Sequence, residues 1–326
     1  MMSPHTVLPR RSRLFAASAA IALAVAVSAS GVVGQDASEE PPDLAVVTIN
    51  LAALFFNQLN DGAQAAADAA GANLAIFNAN NDPVAQNDAI ETFTAQGVDG
   101  ILVIAIDTNG IMPAVESAAA AGVKIVAADA ILPEGPQVAQ VGVDNGGAGA
   151  QMGEHFLGWV TEGGEPVQLG IVGALNSTIQ NIRQQGFEDV VSADPNVELV
   201  GVVDGQNIAE VALSAAETLI TGNPELDAIY ATGEPALVGA VAAVEAQGAQ
   251  NRVKIFGWDL TAQVIRGIDE GYVLAVVQQD PEGIGRAGIE ALVASIAGEE
   301  VPSVIDVPVT IVTTENVEPY RAVFPE

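Results

Sequence analysis

The chain is 326 residues long, half of it hydrophobic, with a formal net charge of −31, two histidines and no cysteine. That composition excludes a disulfide framework and thiolate-held metals, and His155 alone beyond His5 leaves too few ligands for zinc and no partner set for a His-based triad. The acids are spread along the chain instead of forming a tail, so the charge describes a folded surface that repels nucleic acid and anionic lipid.

Arg10, Arg11 and Arg13 precede a run of small and apolar residues from Leu14 to Val33, within which Val27-Ser28-Ala29 offers a cleavage site. This is the three-part pattern of a secretory signal peptide, expected over residues 1–29. Arg10-Arg11 hints at twin-arginine export, but Arg13 stands where that signal prefers an apolar residue, so both export routes stay open. An uncleaved membrane anchor is the competing reading; the many Ala, Ser and Gly residues make the run weakly apolar and favour cleavage. With no cysteine to carry a lipid, a free periplasmic location is expected, with a mature charge of about −34. Residues 30–42 are polar and end in Pro41-Pro42, as a linker does.

From Leu44 the chain alternates short apolar runs with alanine-rich helical stretches. Strands are expected over Leu44–Ile49, Asn73–Phe77, Ile101–Ile106 and up to Asp129, with helices from Phe55 to Ala70, from Pro83 to near Gly97 and from about Ile111 to Ala121. A strand over Val138–Val143 ends in Asp144-Asn145-Gly146-Gly147, read as a crossing. The alternation then restarts, with strands at Val167–Val172, Val197–Val203, Ala228–Ala231, up to Asp259, and Tyr272–Gln278. A helix from Pro281 to Gly298 and a closing strand over Val307–Val312 complete it. This spacing predicts an α/β protein of two similar doubly wound, parallel-sheet lobes.

One stretch occurs twice. Val123-Lys124-Ile125-Val126-Ala127-Ala128-Asp129 and Val253-Lys254-Ile255-Phe256-Gly257-Trp258-Asp259 share a plan, and each follows a second matched piece at Asp99 and Asp227. The thirty and thirty-two residues between the paired aspartates hold one βαβ unit each. Ligands of open α/β sheets sit beyond the carboxyl ends of the strands, so Asp129 and Asp259 are expected to face a shared cleft. Capping of the next helix is the bland alternative for either one. Phe55 and Phe56 leave the first strand together in a chain with few aromatics, either as an aromatic platform at the cleft or as a plug under the helix, and Trp258 beside Asp259 is read as a second such platform.

Other chemistry finds no support. Gly147-x-Gly149 lacks the third glycine of a dinucleotide fingerprint, since Met152 stands there, and close packing or a hinge explains these glycines better. There is no P-loop and no Gly-x-Ser-x-Gly elbow, and acid pairs are a product of composition. Neither a cofactor nor catalysis is expected.

At Phe55-Phe56-x-x-Leu59-x-Asp61-Gly62-Ala63, Asp129, Asp144-Asn145, Arg183-x-x-Gly186-Phe187, Gly257-Trp258-Asp259 and Gln279, the chain resembles the periplasmic sugar-binding proteins of the ribose- and galactose-binding type, which feed ABC transporters. The resemblance spans the whole mature chain. It implies an N-terminal lobe of 43–143 plus 280–308 and a C-terminal lobe of 144–279 plus 309–326, joined by a three-segment hinge near 143–144, 279–280 and 308–313. It also implies ligand contacts from Phe55, Phe56, Asp129, Asn181, Glu234, Trp258, Asp259 and Gln279. Ala130 and Asn181 replace ligand arginines of the family, Gly233 beside Glu234 replaces an asparagine, and Ala53-Leu54 replaces Asn-Pro; these departures argue against ribose itself. A pocket rich in acceptors and poor in cations suits a neutral monosaccharide, sugar alcohol or cyclitol. The expected partners are that ligand and a transporter permease, with no nucleic acid and a monomeric receptor. A sensory receptor of the same fold is the alternative; a repressor with the same lobes would need a basic head where the export signal stands.

Overall fold

A computed structural model describes residues 40–325. The expected signal peptide and most of the linker lie outside the described residues. The first βα run is β1 (Asp43–Thr48), α1 (Leu54–Ala70), β2 (Asn73–Asn78), α2 (Pro83–Gln96), β3 (Gly100–Val103), α3 (Met112–Ala120), β4 (Lys124–Ala128) and β5 (Ala139–Gly142). The second is α4 (Asn145–Gly163), β6 (Val167–Gly173), α5 (Thr178–Val191), β7 (Val197–Asp204), α6 (Ala209–Gly222), β8 (Ala228–Ala231), α7 (Glu234–Ala246), β9 (Lys254–Trp258), α8 (Ala262–Asp269) and β10 (Val273–Gln278). The chain closes with α9 (Pro281–Ile296), β11 (Val304–Asp306), β12 (Thr310–Val312) and a 3-10 turn over Glu318–Ala322.

Two six-stranded sheets result, ordered β2-β1-β3-β4-β5-β11 and β7-β6-β8-β9-β10-β12. The order of the first five strands is the same in both, and in each the chain reverses its direction of growth between the first and third strands, the point where such sheets bind ligands. Continuous burial explains the apolar runs: Leu44, Val46, Val47, Ile101, Leu102 and Val103 are closed from solvent because helices cover both faces. Each such side chain stabilises the fold by about 1.5–3 kcal/mol.

Three crossings join the sheets. Residues 143–144 lead from β5 to α4 and 279–280 from β10 to α9. Asp144 and Asp280 end these crossings as helix caps, accepting from the amides of Gly147 at 2.9 Å and Gly283 at 2.8 Å. α9 then packs along α1 and against β3, β4 and β5, and β11 pairs with β5. Of the strand expected over Val307–Val312 only the last half forms, and β11 is a separate strand before it. Pro308, which has no amide hydrogen to donate, lies where the chain leaves the first sheet, and only Thr310–Val312 pairs with β10, in antiparallel sense.

Glycines set how closely two helix pairs approach. A β-carbon on Gly285 of α9 would collide with the Leu59 carbonyl of α1, and one on Gly186 of α5 with the Gly146 carbonyl of α4. The glycine cluster at 146–153 thus serves helix packing in the second lobe, which brings α5 against the sheet.

Candidate functional site

β4 and β9 end in the same way. Asp129 and Asp259 both adopt the left-handed backbone region, with φ of 62° and 65°. Their amides donate to the carbonyls of Val141 and Val277, each at 2.9 Å. A non-glycine residue there is strained, and Asp is among the few that tolerate it. The turn aims each carboxylate across the carboxyl edge of its own sheet.

Both carboxylates line a cavity of about 560 Å³, within the range of small-molecule sites. Leu54, Phe55 and Gln58 reach it from the start of α1, and Glu234 and Thr261 from the second lobe. Gln278 and Gln279 line it from the crossing between the lobes, and Val323, Phe324 and Pro325 from the C-terminal segment. Gln278 is committed to the backbone, accepting from the Leu260 amide at 2.9 Å and donating to the Gln279 carbonyl at 3.0 Å.

A polar chain lies behind Asp259. Gln279 Nε2 donates to Asp259 Oδ1 at 2.9 Å, and Arg183 Nη1 stands 3.7 Å from Asp259 Oδ2. Arg183 Nε donates to Asn145 Oδ1 at 2.8 Å. The guanidinium, from a residue only 6% exposed, lies 3.8 Å from the centre of the Trp258 ring. Trp258 Nε1 in turn donates to the Tyr230 hydroxyl at 2.8 Å, and Tyr230 stacks on Phe187.

These surroundings move the titrations. Burial pushes Asp129 up from 3.8 to about 6, against the pull of Arg183 and with a further push from Asp259. Asp259 is raised by burial and held back by Arg183 and by the Gln279 hydrogen bond. Glu234 is raised by burial and by Asp259. Burial lowers Arg183, with Asp259 opposing the shift, and a guanidinium stays charged regardless. The site is an acidic cavity, and the buried Arg183 cation sits behind one of its carboxylates and not in the cavity lining.

Residues 44–300 match the periplasmic binding protein domain family. The chain belongs to that family. The ribose import binding protein RbsB of Escherichia coli is 27% identical over 298 residues, 91% of this chain and 96% of the relative. The D-ribose/D-allose-binding protein of Pseudomonas aeruginosa is 28% identical over 291 residues, 84% and 89% of the two chains. The structure of AraP, an arabinose binding protein from Geobacillus stearothermophilus, superposes with a TM-score of 0.79 at 20% identity, covering 86% of this chain and 99% of that one, a likeness of fold.

In this periplasmic binding protein the cavity brings together Phe55, Asp129, Glu234, Asp259 and Gln279 of the residues expected from sequence. The other three stand elsewhere. Trp258, the last residue of β9, is fully closed from solvent in the core with Tyr230 and Phe256 and is the floor under Arg183, whereas the left-handed turn after it carries Asp259 to the cavity. Phe56 is half-buried on the first-lobe core, edge-on to Phe55 at 5.3 Å between ring centres. Asn181 turns back on its own loop, donating to the Leu175 carbonyl at 3.2 Å. Arg183 is the cation nearest this acceptor-rich cavity, and it stands behind Asp259 instead of lining the space. Its match to the family was legible, but its reach to Asp259 depends on how α5 packs. Gln58 lies one turn beyond Leu54 and was legible as that helix's inner face.

Proposed function

We propose that this protein is the exported, periplasmic substrate-binding component of an ABC importer. It binds a small neutral polyhydroxyl ligand (a monosaccharide, sugar alcohol or cyclitol), closes its two lobes on it and delivers it to the permease. The observation that carries this reading is the matched pair of Asp129 and Asp259, one from each sheet, facing one cavity. Carboxylates out of bulk water need hydrogen-bond donors, and adjacent ligand hydroxyls supply them while drawing the lobes together. Phe55 offers a face to the C–H side of a ring, and Gln58 and Gln279 can exchange further hydrogen bonds. Hinge closure around a ligand is the known behaviour of two-lobed receptors. The names of the relatives, importers and binders of ribose, allose and arabinose, support the same class.

The test is a thermal-shift screen over D-ribose, D-allose, L-arabinose, D-galactose, D-mannitol and myo-inositol, with D-galacturonate as the acidic control. A ligand that binds the native state raises its melting point. At least one neutral probe is expected to do so, and galacturonate is not. A response confined to the acid would overturn the ligand class.

A further inference from the structure

After β12 the chain does not leave the second lobe. Val317, Tyr320 and Phe324 pack on the core beneath α7 and α8. Arg321 clamps the segment to the end of α8 through both carboxylate oxygens of Asp269, at 2.9 and 2.8 Å, and its Nε donates to Glu318 at 2.8 Å. The clamp delivers Val323, Phe324 and Pro325 to the ligand cavity, where Leu54 and Phe55 of the first lobe and Leu260 of the second add further apolar lining.

A second cavity of about 490 Å³ lies on the hinge side, against Asp280, Glu282 and the crossing at Pro308–Thr310. Val323 and Phe324 line both cavities, together with Gln58, Gln278, Gln279 and Pro281. Residues shared by two adjoining spaces stand between them. Gln278 is held by the backbone and Gln279 by Asp259, whereas Phe324 is only half-buried. It is the large apolar part of that partition.

We propose that Phe324, held in place by the Arg321–Asp269 clamp, is the wall that separates the ligand cleft from the hinge-side cavity and limits the ligand to a single ring. This rests on the polyhydroxyl-ligand reading above and adds to it the residue that sets ligand length. With the ring removed, the two spaces become one. A monosaccharide then loses an apolar neighbour and leaves faster, and a second ring has somewhere to go.

The experiment compares the full chain with Phe324→Ala and Arg321→Gln by surface plasmon resonance. The probes are D-ribose, D-allose, D-galactose and lactose, and urea midpoints are recorded in parallel. For the monosaccharide that the wild type binds, dissociation is expected to be about tenfold faster in Phe324→Ala and several-fold faster in Arg321→Gln. Lactose, excluded by the wild type, should bind Phe324→Ala. A purely structural role would move the urea midpoint and leave the monosaccharide-to-lactose preference unchanged, and that result overturns the wall. Arg321→Gln changes only two exposed ion pairs, to Asp269 and Glu318, and carries the test if Phe324→Ala does not fold. Should the wild type bind no monosaccharide, the ligand reading itself fails and the wall falls with it; binding by all three proteins at equal rates defeats the wall alone.

Discussion

Asn145 and Gln279 flank two different crossings between the lobes, and only Arg183 and Asp259 stand between them. Asn145 accepts from Arg183, Arg183 pairs with Asp259, and Asp259 accepts from Gln279. A carboxylate that lines the cavity is therefore also the link between two of the crossings.

Removing Arg183 breaks this chain and leaves Asp259 beside an uncovered Trp258. Arg183→Met is expected to lower the unfolding free energy by about 3 kcal/mol, the low end for breaking a buried pair because Asp259 retains some exposure. Arg183→Lys should recover less than half of that, since an ammonium lacks the planar face that lies on the indole and the fork that reaches Asn145. Urea unfolding of the three proteins decides it.

Asp129→Ala and Asp259→Ala each remove an acceptor for ligand hydroxyls. Charge-assisted hydrogen bonds are worth about 1.5–3 kcal/mol, so affinity for a neutral ligand should fall by roughly tenfold to a hundredfold per variant. Calorimetry with both variants at wild-type affinity would place the ligand elsewhere.

The raised pKa of Asp129 gives two pH effects of opposite sign. The folded state holds a proton up to about pH 6, while the unfolded chain releases it near 3.8. This contribution to stability is complete below 3.8 and is lost as pH rises through 6; it amounts to about 2–3 kcal/mol. Ligand hydroxyls need the ionised carboxylate, so affinity should instead fall about tenfold between pH 7 and pH 5. Titration calorimetry across that range checks the slope, which Asp129→Asn should flatten.

Gly186→Ala and Gly285→Ala place a methyl group against a backbone carbonyl that cannot turn aside. Overpacking costs typically about 1–3 kcal/mol, and the upper end is expected at both positions. Gly158→Ala, with open space around its α-carbon, is the control and should not destabilise. Thermal unfolding of the three proteins gives the comparison.

The alternation of strands and helices was legible because the central strands are short apolar runs closed on both faces, as Leu44–Ile49 shows against the observed Asp43–Thr48, while the edge strands β2 and β7 stay partly exposed. The paired aspartates were legible because the stretch before them is duplicated. Trp258 was misplaced because the strand ends on it: its side chain stays in the core with Tyr230 and Phe256, and only the turn that follows carries Asp259 to the cavity. Phe56 and Asn181 carried the right helices but not the direction of their side chains. The segment 323–325 gave no signal, having neither periodicity nor a duplicate; its place depends on a clamp between residues fifty-two positions apart. The late start of the closing strand follows Pro308, which has no amide to give a ladder.

The return of α9 to α1 also bears on the order in which the chain can fold. Leu59 and Ala63 of α1 share a core cluster with Ile284, Ile289 and Leu292, which lie more than two hundred residues later. A chain emerging from its N-terminus completes most of the second sheet before that apolar face of the first has any cover. The lobe that begins first should therefore finish last, since contacts of such separation form slowly. Amides of α1 would then gain exchange protection after those of α6 and α7 in a pulse-labelled refolding experiment, and the opposite order would exclude this sequence of events.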